Sequence, residues 1–142
     1  MSLKKINVVV AGATGYVGLD LVKILSMHPR VRIKYLCAQK KIGKKIQFFD
    51  KRIKKKLPKI STLKKVFWPE VDILFTSLPS GEAQKITKDL FKYKHLKIID
   101  LSADFRLNKK SEYKKFYFTK HKAPKLLKYS LYSLSEYVKR DI

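Results

Sequence analysis

Three glycines recur at every third position in the run Asn7 to Leu19, NVVVAGATGYVGL: Gly12, Gly15 and Gly18. They follow a hydrophobic run and open a stretch of helical periodicity. A turn of this kind brings unshielded backbone N–H groups and the positive end of a helix dipole to one point. The chemistry available there is anion capture, and the ligand it fits is the pyrophosphate of a dinucleotide. The candidate binding residues are Gly12, Ala13, Thr14, Gly15, Tyr16, Val17 and Gly18. The spacing is GxxGxxG, with Ala13 where the GxGxxG fingerprint has its first glycine. A tight turn with close helix packing would need the same glycines.

A second signal lies about 20 residues on, where a strand that presents the ribose of NAD ends in Asp or Glu. Here the residues after Cys37 are Ala38, Gln39, Lys40 and Lys41. With no carboxylate and two ammonium groups, the position suits a 2′-phosphate, so NADP (NADPH) is expected rather than NAD. The same two lysines also belong to a chain-wide lysine excess.

Elements that could hold these residues follow from periodicity. Ile6 to Ala11 is a continuous β-branched run, suited to a strand covered on both faces of a parallel sheet. Val17, Leu21, Ile24 and Leu25 fall on one face of a helix that His28-Pro29 ends. Val31 to Cys37 reads as a second strand. The next 25 or so residues are basic and weakly patterned, a loop with at most one short strand. Val71 to Leu78 reads as a third strand and Leu96 to Leu101 as a fourth. Between them Pro79-Ser80-Gly81 opens a helix with Ala83, Ile86, Leu90 and Phe91 on one face. The order β-α-β, loop, β-α-β predicts an α/β, Rossmann-like doubly wound sheet, mostly parallel, with helices on both faces and ligands at the carboxyl ends of its strands.

Composition limits the class. The chain has 142 residues and a net charge of +23, from 34 Lys and Arg against 11 Asp and Glu. Such a balance can mark a polyanion partner. The lysines are spread over the whole length, and no zinc-finger, RRM or helix-turn-helix pattern is present, so no specific nucleic-acid partner is expected. No apolar stretch reaches the length of a membrane span, and a cytoplasmic protein is expected. The single cysteine, Cys37, can form no internal disulfide and has no CxxC neighbour, so no metal site is expected.

In this order the residues resemble the N-acetyl-γ-glutamyl-phosphate reductases, relatives of the aspartate-semialdehyde dehydrogenases. The likeness is carried by GATGYVGLDLVKILSMHP (Gly12 to Pro29), GKKI (Gly43 to Ile46), VDILFTSLPSG (Val71 to Gly81), IDLSADFRL (Ile99 to Leu107) and YSLSE (Tyr132 to Glu136). Ser80 stands where the family has His, and Ser133 and Ser135 where it has Gly and Pro. The resemblance implies NADPH-dependent reduction of an acyl phosphate to a semialdehyde in arginine biosynthesis, by way of a cysteine thiolate and a proton-managing histidine. It implies that Ser80 and Gly81 line the nicotinamide side and that Arg106 takes the substrate phosphate. A guanidinium fork suits a phosphate dianion; alternatively, Arg106 is a surface residue or pairs with Asp104.

The same resemblance places the catalytic cysteine after the segment matching Tyr132 to Glu136, and the histidine in a second domain. The chain ends at Ile142 and offers neither. Cys37 closes the second strand on the adenosine side, and His28, His95 and His121 read as turn, helix-end or surface residues. Residues 1–142 are therefore expected to form the NAD(P)-binding domain only, inactive alone, of an enzyme that forms homo-oligomers when complete. Tyr132 and Leu134 are expected to lie partly uncovered where a second domain would dock. Alternatives are a semialdehyde dehydrogenase acting on aspartyl or aminoadipyl phosphate, or a noncatalytic basic module binding nucleotide or nucleic acid.

Overall fold

The computed structural model describes residues 4–134 and residue 137. Strand β1 (Ile6–Ala11) leads into helix α1 (Tyr16–Met27), which stops at His28 just before Pro29. Strand β2 (Val31–Cys37) follows, then a long connection to the two-residue strand β3 (Ile60–Ser61). Strand β4 (Ile73–Thr76), helix α2 (Glu82–Leu90) and strand β5 (Lys97–Asp100) form the second unit, and a short helix α3 (Lys110–Tyr117) comes after it.

The five strands make one parallel sheet in the order β3-β2-β1-β4-β5. With β1 at the centre, its Val8, Val9, Val10 and Ala11 are all fully buried, as a strand covered on both faces requires. Alternate β1 residues feed separate cores. Val8 and Val10 pack with Val22 and Leu25 of α1, whereas Val9 and Ala11 pack on the α2 side with Leu90, Leu74 and Val71. Helices on both faces of a parallel, doubly wound sheet are the architecture the sequence predicts.

Helix α1 buries only part of the expected stripe: Leu25 is inward and Leu21 packs against the core, but Val17 and Ile24 are not. Its inward residues are Gly18, Val22, Leu25 and Ser26, while Val17 and Ile24 are 53% and 61% exposed. The cause is Gly18. A Cβ there would lie 2.0 Å from the Gly12 carbonyl oxygen, so the helix presents its glycine to the turn and rotates the flanking apolar residues outward. The connection from β2 to β3 is irregular, as expected, yet anchored: Ile46 and Ile53 are 1% exposed and join the α1-side core. Arg52 ties it down by a bidentate bond to Asp50 and a bond to Asp20 on α1.

Candidate functional site

Register places the strand ends side by side. Ala11 is paired with Cys37 and with Thr76, Thr76 with Asp100, and Cys37 with Ser61. The turns that leave β1, β2, β4 and β5 therefore rise from one edge of the sheet. Residues 12–15, 38–41, 77–81 and 101–106 occupy them, and every candidate site residue lies in these turns or in the first turn of α1.

The glycines of the first turn do three different jobs. Gly12 has φ +82°, and a Cβ there would stand 2.1 Å from the Ser77 carbonyl oxygen; its own fold demands glycine. Gly18 is demanded by the approach of α1 to Gly12. Gly15 is not required by any neighbour. Its φ is −77°, in the extended region, and a Cβ would meet only the Gly12 oxygen at 3.6 Å. The residue is exposed and forms the N-cap of α1, where no side chain caps the helix. Tyr16 and Val17 are exposed beside it, 94% and 53%. Thr14 is half-buried. Ala13 differs from the rest: its methyl is fully buried in the core and its N–H donates to the Cys37 carbonyl at 3.1 Å. The structure thus brings an open face, backed by a bare helix N-terminus, to Gly15, Tyr16 and Val17.

At the end of β2, Ala38 donates its N–H to the Ser61 carbonyl, and Gln39 and Lys40 are exposed. Lys41 adopts φ +60°. Among the described residues neither lysine has a carboxylate within 4.0 Å. Cys37 itself is 1% exposed, and burial pushes its thiol up to about 11, against a weak contact with Ser61 Oγ at 3.9 Å. It stays protonated at neutral pH and packs as a small apolar group.

The turn after β4 holds Ser80, exposed, and Gly81, buried with φ +87°. The Gly81 N–H is occupied: it donates to both carboxylate oxygens of Asp104 at 2.8 Å. Asp104 therefore does not pair with Arg106. The arginine is exposed, its Nε donates to the Ser102 carbonyl at 3.1 Å, and its guanidinium carbon lies 5.8 Å from the centroid of the Tyr132 ring. This leaves the Nη groups with no carboxylate partner among the described residues.

Around Asp104 lies a buried polar cluster that sequence reasoning missed. Gln84 donates from Nε2 to Asp104 Oδ1 and to Tyr113 Oη, and Tyr113 donates to Asp104 Oδ1. Desolvation, then that carboxylate, push the tyrosine up to about 12. His121 is buried rather than at the surface. Its Nδ1 accepts the Ala123 N–H at 3.1 Å, which assigns the proton to Nε2 and makes that atom the donor to the Asp104 carbonyl at 2.8 Å. His28 and His95 are exposed, as expected. Four polar residues spread over 38 positions carry no periodic signal, and only the fold brings them together.

The family profile described as "Semialdehyde dehydrogenase, NAD binding domain" matches residues 7–137. The chain belongs to this family. A rice protein named "Probable N-acetyl-gamma-glutamyl-phosphate reductase, chloroplastic" is 38% identical over 140 residues, 98% of this chain and 33% of that protein. The N-acetyl-gamma-glutamyl-phosphate reductase of Ehrlichia ruminantium (strain Gardel) is 40% identical over 134 residues, 93% of this chain and 38% of its own length. That of Rhodospirillum rubrum is 39% identical over 137 residues, 94% and 39% respectively. The chain thus spans 33–39% of the length of these curated relatives. Among solved structures, aspartate semialdehyde dehydrogenase with NADP from Candida albicans superposes with TM-score 0.53 at 23% identity, covering 75% of this chain and 32% of that one. Aspartate semialdehyde dehydrogenase II complexed with ASA from Vibrio cholerae gives 0.56 at 22%, covering 72% and 33%. These two establish the Rossmann-like fold. The matched profile makes a pyridine nucleotide the cofactor class of this domain. No helix among the described residues is long and apolar enough to cross a membrane.

Proposed function

We propose that this chain is the NADP(H)-binding part of an N-acetyl-γ-glutamyl-phosphate reductase. The observation that carries the reading is the room over Gly15, where a Cβ would meet only the Gly12 oxygen at ordinary contact distance, at the uncapped start of α1. A glycine that its own fold does not need is explained by a ligand lying against it. The Gly15 N–H donates to the Gly12 carbonyl at 3.2 Å, so the N–H groups of Tyr16 and Val17 would hold the pyrophosphate. Lys40 and Lys41, with no carboxylate nearby, would hold a 2′-phosphate. Ser80 and Gly81 would line the nicotinamide side, with Gly81 acting through its shape, since Asp104 has its N–H. When bound, the dinucleotide supplies the hydride.

Arg106, steadied through Nε and by the Tyr132 ring, would present its free fork to the phosphate of an acyl-phosphate substrate. The names of the relatives at 38–40% identity support the N-acetylglutamyl substrate. None of the described residues offers a thiolate at this edge, because Cys37 is buried and protonated, so the chain alone turns nothing over. The complete enzyme is a homo-oligomer in this reading.

Calorimetric titration tests the cofactor. NADPH binds about tenfold more tightly than NADH, the scale of one charge-assisted contact, and the Lys40→Gln/Lys41→Gln variant loses the difference. Equal affinities in the parent chain would refute the NADP preference, and binding of neither would refute the function. In parallel, NADP+, phosphate and N-acetylglutamate semialdehyde give no NADPH with the parent chain or with Cys37→Ser. Turnover that disappears in the serine variant would refute the placing of Cys37.

A further inference from the structure

The Asp104 carboxylate is withdrawn from water, at 0% exposure, yet none of the ion pairs among the described residues includes it. Uncharged donors surround it. Both oxygens accept from the Gly81 N–H at 2.8 Å, Oδ2 accepts from the Gln84 N–H at 3.3 Å, and Oδ1 accepts from Gln84 Nε2 at 2.9 Å and Tyr113 Oη at 3.0 Å. A buried charge without a cation persists only where donors converge in this way. Gly81 and Gln84 are the N-cap and third residue of α2, whose own turn supplies no capping side chain. Asp104 therefore caps that helix from 23 residues away.

The backbone of Asp104 is held as firmly as its side chain. Its N–H donates to Ser102 Oγ at 3.1 Å, and its carbonyl accepts from His121. Ser102 Oγ in turn donates to Asp100 Oδ2 at the end of β5. Arg106 stands two residues further along the same turn. We propose that Asp104 is a positioning residue: by gripping the Ser80–Gly81 turn with its carboxylate and carrying Arg106 on its own turn, it fixes the separation between the cofactor side and the phosphate side of the site. This rests on the roles proposed for Ser80, Gly81 and Arg106.

The test compares Asp104→Asn with Tyr113→Phe in this chain. Asparagine keeps the volume but removes the charge and turns one acceptor into a donor that faces other donors. Phenylalanine removes the hydroxyl, with the bond it donates to Asp104 Oδ1 and the one it accepts from Gln84 Nε2, and leaves both backbone caps. Amide exchange is read at Gly81 and Gln84 against Val10 in the core. Affinities are read for NADPH and for inorganic phosphate, the latter from the Arg106 Nε resonance. In Asp104→Asn the protection of Gly81 and Gln84 falls about tenfold more than that of Val10, the Gly81 amide proton moves upfield, and both affinities fall about tenfold. In Tyr113→Phe protection falls evenly and both affinities hold. Even loss of protection in Asp104→Asn, or unchanged affinities there, would overturn the positioning role while leaving the cofactor reading intact. A parent chain that bound neither probe would remove both. If Asp104→Asn does not fold, Gly81→Ala strains the same turn from its other end. Phosphate affinity at Arg106 then falls severalfold, and an unchanged value overturns the linkage.

Discussion

A methyl group placed on Gly15 meets one protein atom at ordinary contact distance, whereas the same group on Gly18 is driven 2.0 Å from a backbone oxygen. The two alanine variants therefore separate the needs of the fold from the needs of a ligand. For Gly15→Ala, the less favourable N-cap costs about 0.5–1 kcal/mol and the stiffer unfolded chain returns about 0.4–1 kcal/mol, so the net change is near zero. At about 3 °C per kcal/mol for a domain of this size, Tm stays within about 3 °C of the parent. Gly18→Ala lies inside a helix, where the substitution ordinarily gains about 1 kcal/mol; here backbone displacement reverses the sign, at a cost of about 1–3 kcal/mol or more. Its Tm falls by about 3–10 °C on the same scale. Differential scanning calorimetry reads both. The decisive measurement is NADPH titration of Gly15→Ala, where a methyl on the pyrophosphate bed weakens binding at least tenfold, or about 1.4 kcal/mol. A variant that kept its Tm and bound NADPH as the parent does would show that the open face at Gly15 is not the cofactor's bed.

Arg106→Lys replaces a bidentate fork with a point charge and weakens inorganic-phosphate binding by about 1–3 kcal/mol, with NADPH affinity and Tm unchanged; phosphate titration of the variant checks it. At alkaline pH the buried Cys37 thiol works against the fold. Its value is raised from 9.0 to about 11, so the stability it contributes is complete below pH 9 and is lost as pH rises through 11, a loss that Cys37→Ala lacks in urea unfolding at pH 8 and pH 11. At acid pH Asp50 behaves oppositely. The Arg52 bonds lower it from 3.8 to about 2, so its contribution is present above pH 3.8 and disappears as pH falls to 2; Asp50→Asn flattens the acid limb of the stability profile.

How much of this was legible in the sequence depends on whether residues near in the chain or far apart decide a feature. The β1 run, the glycine turn and the stop at His28-Pro29 are local, and the parallel sheet with helices on both faces follows from the crossover rule. The inward face of α1 was legible at Leu21 and Leu25 but not at Val17 and Ile24, because hydrophobic periodicity gives glycine no weight, although Gly18 is the residue that must face the turn. Helix α3 is short and lysine-rich, and of its aromatics Tyr113, Phe116 and Tyr117 only Tyr113 is buried. The paired reading of Asp104 with Arg106 failed because two charges of opposite sign were close in sequence. The carboxylate instead sits where α2 needs an acceptor. His121 read as a surface residue for the related reason that its partners, Asp104 and Ala123, are a carbonyl and an amide that no side-chain pattern reveals.

Several of the few carboxylates among the described residues are spent on the chain's own architecture. Asp104 holds amides and a phenol, Asp100 takes Thr76 and Ser102, Asp72 takes the Asn7 N–H, and Asp50 is clamped by Arg52. Little negative charge is left for 34 lysines and arginines, which repel one another across a small body. Dissolved anions must act as the missing counter-charges. Raising ionic strength should thus strengthen this fold rather than weaken it, since screening relieves the repulsion between exposed lysines far more than it touches the buried hydrogen bonds.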